Sequence, residues 1–369
     1  MPLRRRRALL AGGVVLLLLA VPGWSYVQAL TYPGNATVSV RSVEWVRDHG
    51  GGGLVDTVEN WLYTRTPPPS TGAPTEPLPV VSAKGSNWSQ RQAARGLAPP
   101  RLPTLTDAAR VRGEAVWHSA GWTVGGVPAL QTAWFRPDPA HTTVVAGVAW
   151  IHQPGLRLQL IGGTTEPVRG ATWPEGAQVP PAERSRLLAV FNSGWKTRDA
   201  HGGWFADGRD AVPMQLGAAS LVIHRNGTAD IGAWGTEVGM SPDVVAVRQN
   251  LRPIVDAGRP EPGLATNANG RWGTAHTQLQ YTARSGIGID AHGNLLFVAG
   301  TRMNLAMLAR AMVEAGVVRG MELDIHPAMV TFNVYAPHHR PVKLLPALRP
   351  SAYRYLRPDQ RDFFALTLG

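Results

Sequence analysis

The chain has 369 residues, no cysteine and a formal net charge of +11 at pH 7. The lack of cysteine excludes disulfides, thiolate catalysis and cysteine-type zinc sites, and the length allows a sizeable core. Without the four arginines at positions 4–7, the net charge of +11 falls to +7. This charge favours an anionic glycan or wall polymer as partner. Nucleic acid is not expected, because no run of basic residues follows position 7.

The N-terminus has the pattern of an export signal. The arginines at 4–7 precede an apolar run over residues 8–21, and a span from residue 9 to about 29 would reach the ~20 residues that cross a bilayer. No Ala-x-Ala cleavage signal precedes residue 31, so residues 1–30 are predicted to be an uncleaved signal anchor. The basic start predicts a single-pass cell-membrane protein whose main domain is extracytoplasmic.

Two segments are predicted between the anchor and the main domain. Apolar residues at helical spacing on both sides of glycines 50–53 predict a juxtamembrane helical region over residues 31–64. Residues 65–109 begin with a proline-rich run and predict a semi-rigid linker. Residues 110–369 are predicted to form one α+β domain, mixed and strand-rich with a few helices. Its clearest strand patterns are residues 132–135, 143–151, 156–161 and 187–191.

The C-terminal part contains a hairpin, a helix and an acid-bearing strand in that order. Residues 284–298 place two apolar stretches around a turn at 290–294, which predicts a β-hairpin. Apolar residues at helical spacing follow, between Asn304, which can cap a helix start, and Gly316, which can end the helix in a left-handed conformation.

Residues 319–327 then predict a strand that carries two carboxylates. If the segment is extended, its apolar residues point to one face while Glu322 and Asp324 point to the other. Alternate side chains on one strand face lie about 6.5–7 Å apart, close to the carboxyl separations used in glycoside cleavage. Paired acids also push each other's pKa values apart, so one could donate a proton while the other stays charged. The alternative is an ordinary strand with a solvated polar face.

These elements resemble the C-terminal part of the phosphodiester glycosidase family. Residues 191–196 look like the family's Asn-Gly-Gly-Phe-Phe strand and turn, 246–258 like its central segment, and 284–288 like its Arg-Thr-Ala-Ile-Gly. The resemblance covers roughly residues 185–335. The chain departs from the family after Asp324, where Ile-His-Pro-Ala replaces a Gly-Gly-Gly-Ser turn whose backbone can approach a ligand closely.

The resemblance implies roles for the acid-bearing segment. Asp324 stands at the family's acid position and would attack the anomeric carbon or activate water, with Glu322 or His326 as partner. Glu322 stands where the family usually has Asn, and a structural hydrogen bond or ion pair is its alternative role. His326 could bond to Asp324, act as general acid, or cap the following turn.

Four further residues are candidates for substrate binding. Arg284 matches the family's Arg and offers a bidentate fork for phosphate. Asn192 could orient a sugar hydroxyl, and Lys196 could bind phosphate as a point charge. Asp207 lies in a glycine-rich loop with two aromatic residues that could stack on a sugar. A turn or surface role is the alternative for each of the four.

The resemblance and the export pattern together predict a membrane-anchored, extracytoplasmic glycosidase-like hydrolase. Its substrates would be sugar-1-phosphodiester linkages in cell-surface glycans or wall polymers, and no cofactor or metal is expected. A transferase would differ from this hydrolase only in that another acceptor, instead of water, receives the sugar. The alternative from another class is a non-catalytic glycan-binding or envelope-organising protein on the same fold, favoured by the missing glycine turn.

Overall fold

The computed structural model describes residues 20–32, 36–79, 90–273, 277–337 and 339–369, and within these ranges the chain is rich in antiparallel strands. The strands, in chain order, are β1 His118–Ser119, β2 Thr123–Val124, β3 Val127–Pro128, β4 Leu130–Phe135, β5 Ala146–Ile151, β6 Leu156–Ile161, β7 Leu187–Asn192, β8 Trp204–Ala206, β9 Arg209–Val212, β10 Ala219–His224, β11 Ala229–Ala233, β12 Val244–Gln249, β13 Pro253–Asp256, β14 Arg259–Pro260, β15 Thr282–Ile289, β16 Leu295–Met303, β17 Arg319–Ile325, β18 Phe332–Val334, β19 Val342–Lys343 and β20 Phe363–Leu368.

The helices are short. They are α1 Val38–Val46, α2 Gly52–Thr64, α3 Gln90–Ala93, α4 Thr197–Ala200 and α5 Leu305–Glu314. A π-helical turn, Arg47–Gly51, joins α1 to α2, a 3₁₀ helix covers Pro181–Arg186, and residues 20–31 are also helical. The predicted helix before the acid-bearing strand is confirmed as α5, since the Asn304 side chain accepts a hydrogen bond from the Met307 N–H and Gly316 has a φ of +99°.

Three sheets enclose the main core. The largest has the order β1-β4-β5-β16-β15-β17-β13-β14, and the other two are β11-β10-β12-β8-β9 and β19-β18-β7-β20-β6. Apolar residues from all three form one cluster, in which the ring of Phe191 stacks on those of Phe332 and Phe364. A second cluster lies between α5 and the large sheet. The predicted hairpin is confirmed as β15 and β16, and β17 lies next to β15 inside the large sheet.

The prediction of an N-terminal transmembrane helix is wrong for the residues that the structure describes. Among the described residues, which begin at Ala20, no helix is both long and apolar enough to cross a bilayer. Residues 1–19, which include most of the predicted apolar run, lie outside the described ranges. For the described residues the fold class is therefore corrected to strand-rich with short helices and no membrane-spanning one, and the prediction of a single-pass, membrane-anchored protein is withdrawn. The prediction followed from the apolar composition, which does not by itself distinguish a span from other apolar segments.

The proline-rich run lies against the body of the protein. The backbone carbonyls of Pro69 and Gly72 accept hydrogen bonds from the hydroxyls of Thr143 and Thr142, at 3.0 and 2.9 Å. Farther along, the Glu76 carboxylate accepts one from the Thr301 hydroxyl. The run therefore connects the helical hairpin α1–α2 to the body along a defined path.

Candidate functional site

A cavity of about 620 Å³ opens where β17 ends. Its floor comes from the body: Asp324 and the two residues after it, the segment from Trp195 to Arg198 that follows β7, and Arg361 just before β20. Its other wall is the helical hairpin α1–α2, which contributes Glu44, Arg47, Asp56, Glu59 and Tyr63. The cavity thus lies between the strand-rich body and the N-terminal hairpin.

Asp324 is held at the floor of this cavity by an ion pair. Its Oδ2 lies 3.0 Å from Nη2 of Arg361, and its Oδ1 accepts a hydrogen bond of 2.9 Å from the Ile325 N–H. The same guanidinium nitrogen donates to the carbonyl of Gly194 at 3.0 Å, which fixes its position. Burial raises the pKa of Asp324 to about 6, although Arg361 and the Ile325 N–H act in the opposite direction. The group is therefore mostly ionised at neutral pH and gains a proton in mildly acidic solution.

Glu322 lies outside the cavity, although the alternation pattern placed it beside Asp324. Its Oε1 is 2.6 Å from Nη1 of Arg284, and both side chains are completely buried. The guanidinium of Arg284 also donates to Gln278 Oε1 and to the Met303 carbonyl, at 3.1 and 3.2 Å. Burial raises the pKa of Glu322, with Arg284 opposing the rise. Arg284 is thus engaged inside the protein, and neither residue lines the cavity.

A β-bulge explains why the two acids separate. In the pairing of β15 with β17, Arg284 faces Ile325 whereas Gly286 faces Glu322, so β17 contains one extra residue between these pairs. A bulge breaks the alternation of a strand and turns the following side chain in a new direction. Asp324 accordingly bonds through its backbone N–H to the Ser193 carbonyl, at 2.9 Å, and points toward Arg361.

Asn192 lies beneath the floor of the cavity and is hydrogen-bonded to the segments that form it. Its Oδ1 accepts a hydrogen bond of 2.9 Å from the Thr331 N–H, and its Nδ2 donates to the Ser285 hydroxyl at 3.0 Å. The Ser285 hydroxyl in turn donates to the carbonyl of Asp324 at 2.8 Å. Asn192 is buried and does not line the cavity, so its contacts position the Asp324 backbone.

Lys196 lines the cavity and is paired with acids of the hairpin. Its ammonium group contacts the Glu44 carboxylate and lies 3.4 Å from Oδ1 of Asp48. Arg198 contacts the same oxygen of Asp48, and Arg169 lies 3.1 Å from its Oδ2. Three basic side chains of the body thus converge on two carboxylates of the hairpin.

His326 lines the cavity and turns the chain after β17. Its φ of +78° is in the left-handed region that glycine adopts without strain. Its ring stacks on Tyr63, and its Nε2 is 3.5 Å from a Glu59 carboxylate oxygen. Burial lowers the pKa of His326 to about 3, with Arg47 and Arg284 adding to the effect. A neutral imidazole of this kind is a poor proton donor at neutral pH.

Sequence inspection missed the basic residue that holds Asp324, and Asp207, like the candidates Glu322, Arg284 and Asn192, does not line the cavity. Arg361 was the missed residue, and the only local signal was a charged Arg361-Asp362 pair directly before an apolar strand. Asp362 forms a completely buried ion pair of 2.8 Å with Arg248. Asp207 is exposed in the turn between β8 and β9, at a φ of +54°, and does not line the cavity.

Three residues that line the cavity each have a buried polar atom that lacks a protein partner among the described residues. Trp195 Nε1, His326 Nδ1 and Arg361 Nε have no hydrogen-bond partner within the described ranges. Buried polar groups in proteins are normally satisfied, and clustered exceptions call for a partner that binds there. Trp195 and Arg361 can only donate, so the site favours a ligand that brings acceptor oxygens.

Among the described residues, no group of three or more His, Asp or Glu side chains is arranged to hold a metal ion.

A second, larger cleft of about 1150 Å³ adjoins the Asp324 cavity, and Asp199 and His201 line both. Asp324, whose pKa is raised by burial, lines the smaller cavity, which is therefore the candidate site.

Comparisons with known proteins found no matching family model and no matching curated protein. Among solved structures, the chain is similar to the zebrafish N-acetylglucosamine-1-phosphodiester alpha-N-acetylglucosaminidase catalytic domain, auto-inhibited by its pro-peptide, with 19% identity, a TM-score of 0.42, and coverage of 79% of this chain and 97% of that one. A hypothetical protein from Synechocystis is similar at 12% identity and a TM-score of 0.39, over 66% of this chain and 63% of that one. Similarity at this level indicates at most a distant relationship in fold.

Proposed function

We propose that the protein is a glycosidase-like hydrolase that cleaves a sugar-1-phosphodiester linkage in a glycan at the Asp324 cavity. The observation that carries the proposal is a single buried carboxylate, held by Arg361, facing a cavity with unsatisfied donor groups. The sugar and linkage come from the family resemblance of the sequence motifs. The two-acid version of the mechanism is not retained, because Glu322 is enclosed with Arg284.

One carboxylate is sufficient for this leaving group. Glycosidases generally need a second acid to protonate a departing alkoxide. A phosphate monoester leaves as a stable anion, so the bond between C1 and the phosphate oxygen can break with both electrons going to that oxygen. Asp324 either attacks C1, to form an ester that water then hydrolyses, or removes the proton from an attacking water. In both cases the water oxygen ends on C1 and the phosphate departs as a monoester.

The neighbouring cations suit the departing phosphate. Lys196 lines the same cavity as Asp324, and Arg198 lies two residues farther along. Fixed positive charges near a developing anion stabilise the transition state. The unpartnered N–H groups of Trp195 and Arg361 can donate to sugar or phosphate oxygens.

The test is cleavage of diesters of N-acetylglucosamine-1-phosphate by the purified full-length chain, followed by ³¹P NMR and by release of free sugar. Asp324→Asn should lower kcat by about 10³-fold or more, because it removes a nucleophile or base while preserving shape. Asp207→Asn is the matched control and should retain full activity, because Asp207 is exposed and lies outside the cavity. Equal turnover by the Asp324→Asn and Asp207→Asn variants would refute the catalytic assignment.

The alternative is a non-catalytic glycan-binding protein. It is favoured by the ion pairs that already engage Asp324 and Lys196. Saturable glycan binding without turnover, unaffected by Asp324→Asn, would support this alternative over the hydrolase.

A further inference from the structure

The acids of the hairpin divide into two sets by the partner that they contact. Asp56 and Glu59 on α2 pair with Arg47 of the hairpin itself, the latter at 2.6 Å, and Glu59 also lies 3.5 Å from the neutral ring of His326. Glu44 and Asp48 instead pair with cations of the body. The first set joins the two halves of the hairpin into one unit, and the second set attaches that unit to the cavity.

Little apolar contact holds the hairpin in place. Of the residues in α1 and α2, only Arg41 is buried. Val38, Leu54, Val58 and Trp61 are each more than half exposed. Apolar burial is the main source of docking stability, and α1 and α2 contribute little of it. The hairpin is therefore held to the body mainly by its ion pairs to Lys196, Arg198 and Arg169, which an anionic ligand could replace.

The cations beneath it would be costly to leave without a partner. The Lys196 side chain is only 10% exposed, and a buried ammonium group without a counter-charge is strongly unfavourable. Partial burial disfavours the charged form of Asp48, but Lys196 and Arg198 outweigh it and hold its pKa below the ordinary value. Both hairpin carboxylates therefore serve as counter-ions to a site built for negative charge.

We propose that Lys196, Arg198 and Arg169 form an anion-binding site for a phosphate group, and that Glu44 and Asp48 occupy it as internal ligands until a phosphate displaces them. The proposal rests on the proposed function, for which it identifies the phosphate subsite and the segment that competes for it. Two carboxylates converging on three cations match the charge of a phosphate group, and guanidinium forks bind phosphate oxygens bidentately. The hairpin covers the site in the described structure, so binding requires an exchange of ligands.

The exchange predicts how affinity responds to the hairpin charges. A ligand that binds only the open form has an apparent Kd equal to its intrinsic Kd divided by the fraction of time the site is open. E44Q/D48N removes the internal ligands and should tighten the binding of inorganic phosphate by about tenfold or more. D207N/D210N is the matched control, because it removes the same number of negative charges from exposed positions outside the cavity, and should change affinity less than threefold.

The measurement is isothermal titration of the full-length chain with inorganic phosphate, repeated in K196M/E44Q/D48N. This triple variant should lose the gain in phosphate affinity, because it lacks the Lys196 ammonium group. It should still fold, because no buried ammonium group is left without a counter-charge. The proposal is overturned if E44Q/D48N binds phosphate no more tightly than the unmodified chain, if D207N/D210N gains as much, or if the triple variant keeps the gain.

Titration separates this proposal from the hydrolase assignment. Tighter phosphate binding in E44Q/D48N without turnover of any diester would support the anion site and refute the hydrolase. Turnover that depends on Asp324, with phosphate affinity unchanged in E44Q/D48N, would support the hydrolase and refute the internal ligands.

Discussion

Replacing Arg361 by Met tests the electrostatics on which the Asp324 site depends. Burial raises the pKa of Asp324 to about 6, and Arg361 is the largest influence in the opposite direction. Methionine keeps much of the side-chain volume but removes the charge 3.0 Å from the carboxylate. The desolvation effect would then act with less opposition, so the pKa of Asp324 must rise.

The size of the shift follows from the contact. An arginine beside a carboxylate typically lowers its pKa by about 1–3 units, so Arg361→Met should move the Asp324 pKa from about 6 to roughly 7–9. At pH 7 a group with a pKa of about 6 is roughly nine-tenths ionised, whereas one at about 8 is roughly one-tenth ionised. If catalysis needs the carboxylate, kcat/KM at pH 7 should fall about tenfold and recover near pH 9.

Two assays measure the change independently. The ¹³C shift of the Asp324 carboxyl carbon, identified by its loss in Asp324→Asn, reports the pKa whether or not the protein is an enzyme. The pH profile of kcat/KM should show the same displacement of its acidic limb. Arg349→Met is the control, because Arg349 also lines the cavity but does not pair with Asp324. An Asp324 pKa that stays within half a unit in Arg361→Met, or that moves as far in Arg349→Met, would refute this reasoning.

Three further predictions concern stability and protonation. Because the folded-state pKa of Asp324 is about 6, above the ordinary 3.8, the unfolding free energy should fall by about 2 kcal/mol as the pH rises from 4 to 7, and urea titrations of Asp324→Asn should lack this slope. Glu322→Ala leaves Arg284 buried without its counter-ion and should cost about 3–5 kcal/mol in denaturant unfolding, whereas replacing both by Leu and Met should cost much less. His326, with a pKa of about 3, should show no change in its ring ¹⁵N shifts between pH 5 and 8, and a midpoint within that range would contradict its burial.

Local patterns in the sequence were enough to predict the helix and strands that carry the site. The cap at Asn304 and the left-handed Gly316 delimit α5, and the apolar stretches around residues 290–294 pair as β15 and β16. Each signal involves residues that are close in the chain, because caps, turns and side-chain alternation act over a few positions. The acid-bearing segment was also predicted as a strand, and it forms β17.

Only the tertiary structure decided what the charged residues do. A bulge in β17, visible only through its pairing with β15, separates Asp324 from Glu322 and gives them different partners. Arg361 reaches Asp324 from a distant part of the chain, and the hairpin acids reach Lys196 across the cavity. Ion pairs depend on distance and burial in three dimensions, and neither is encoded in local spacing. The sequence by itself therefore determined that the acid-bearing strand would form. The packing of distant segments determined which of its two acids faces a cavity.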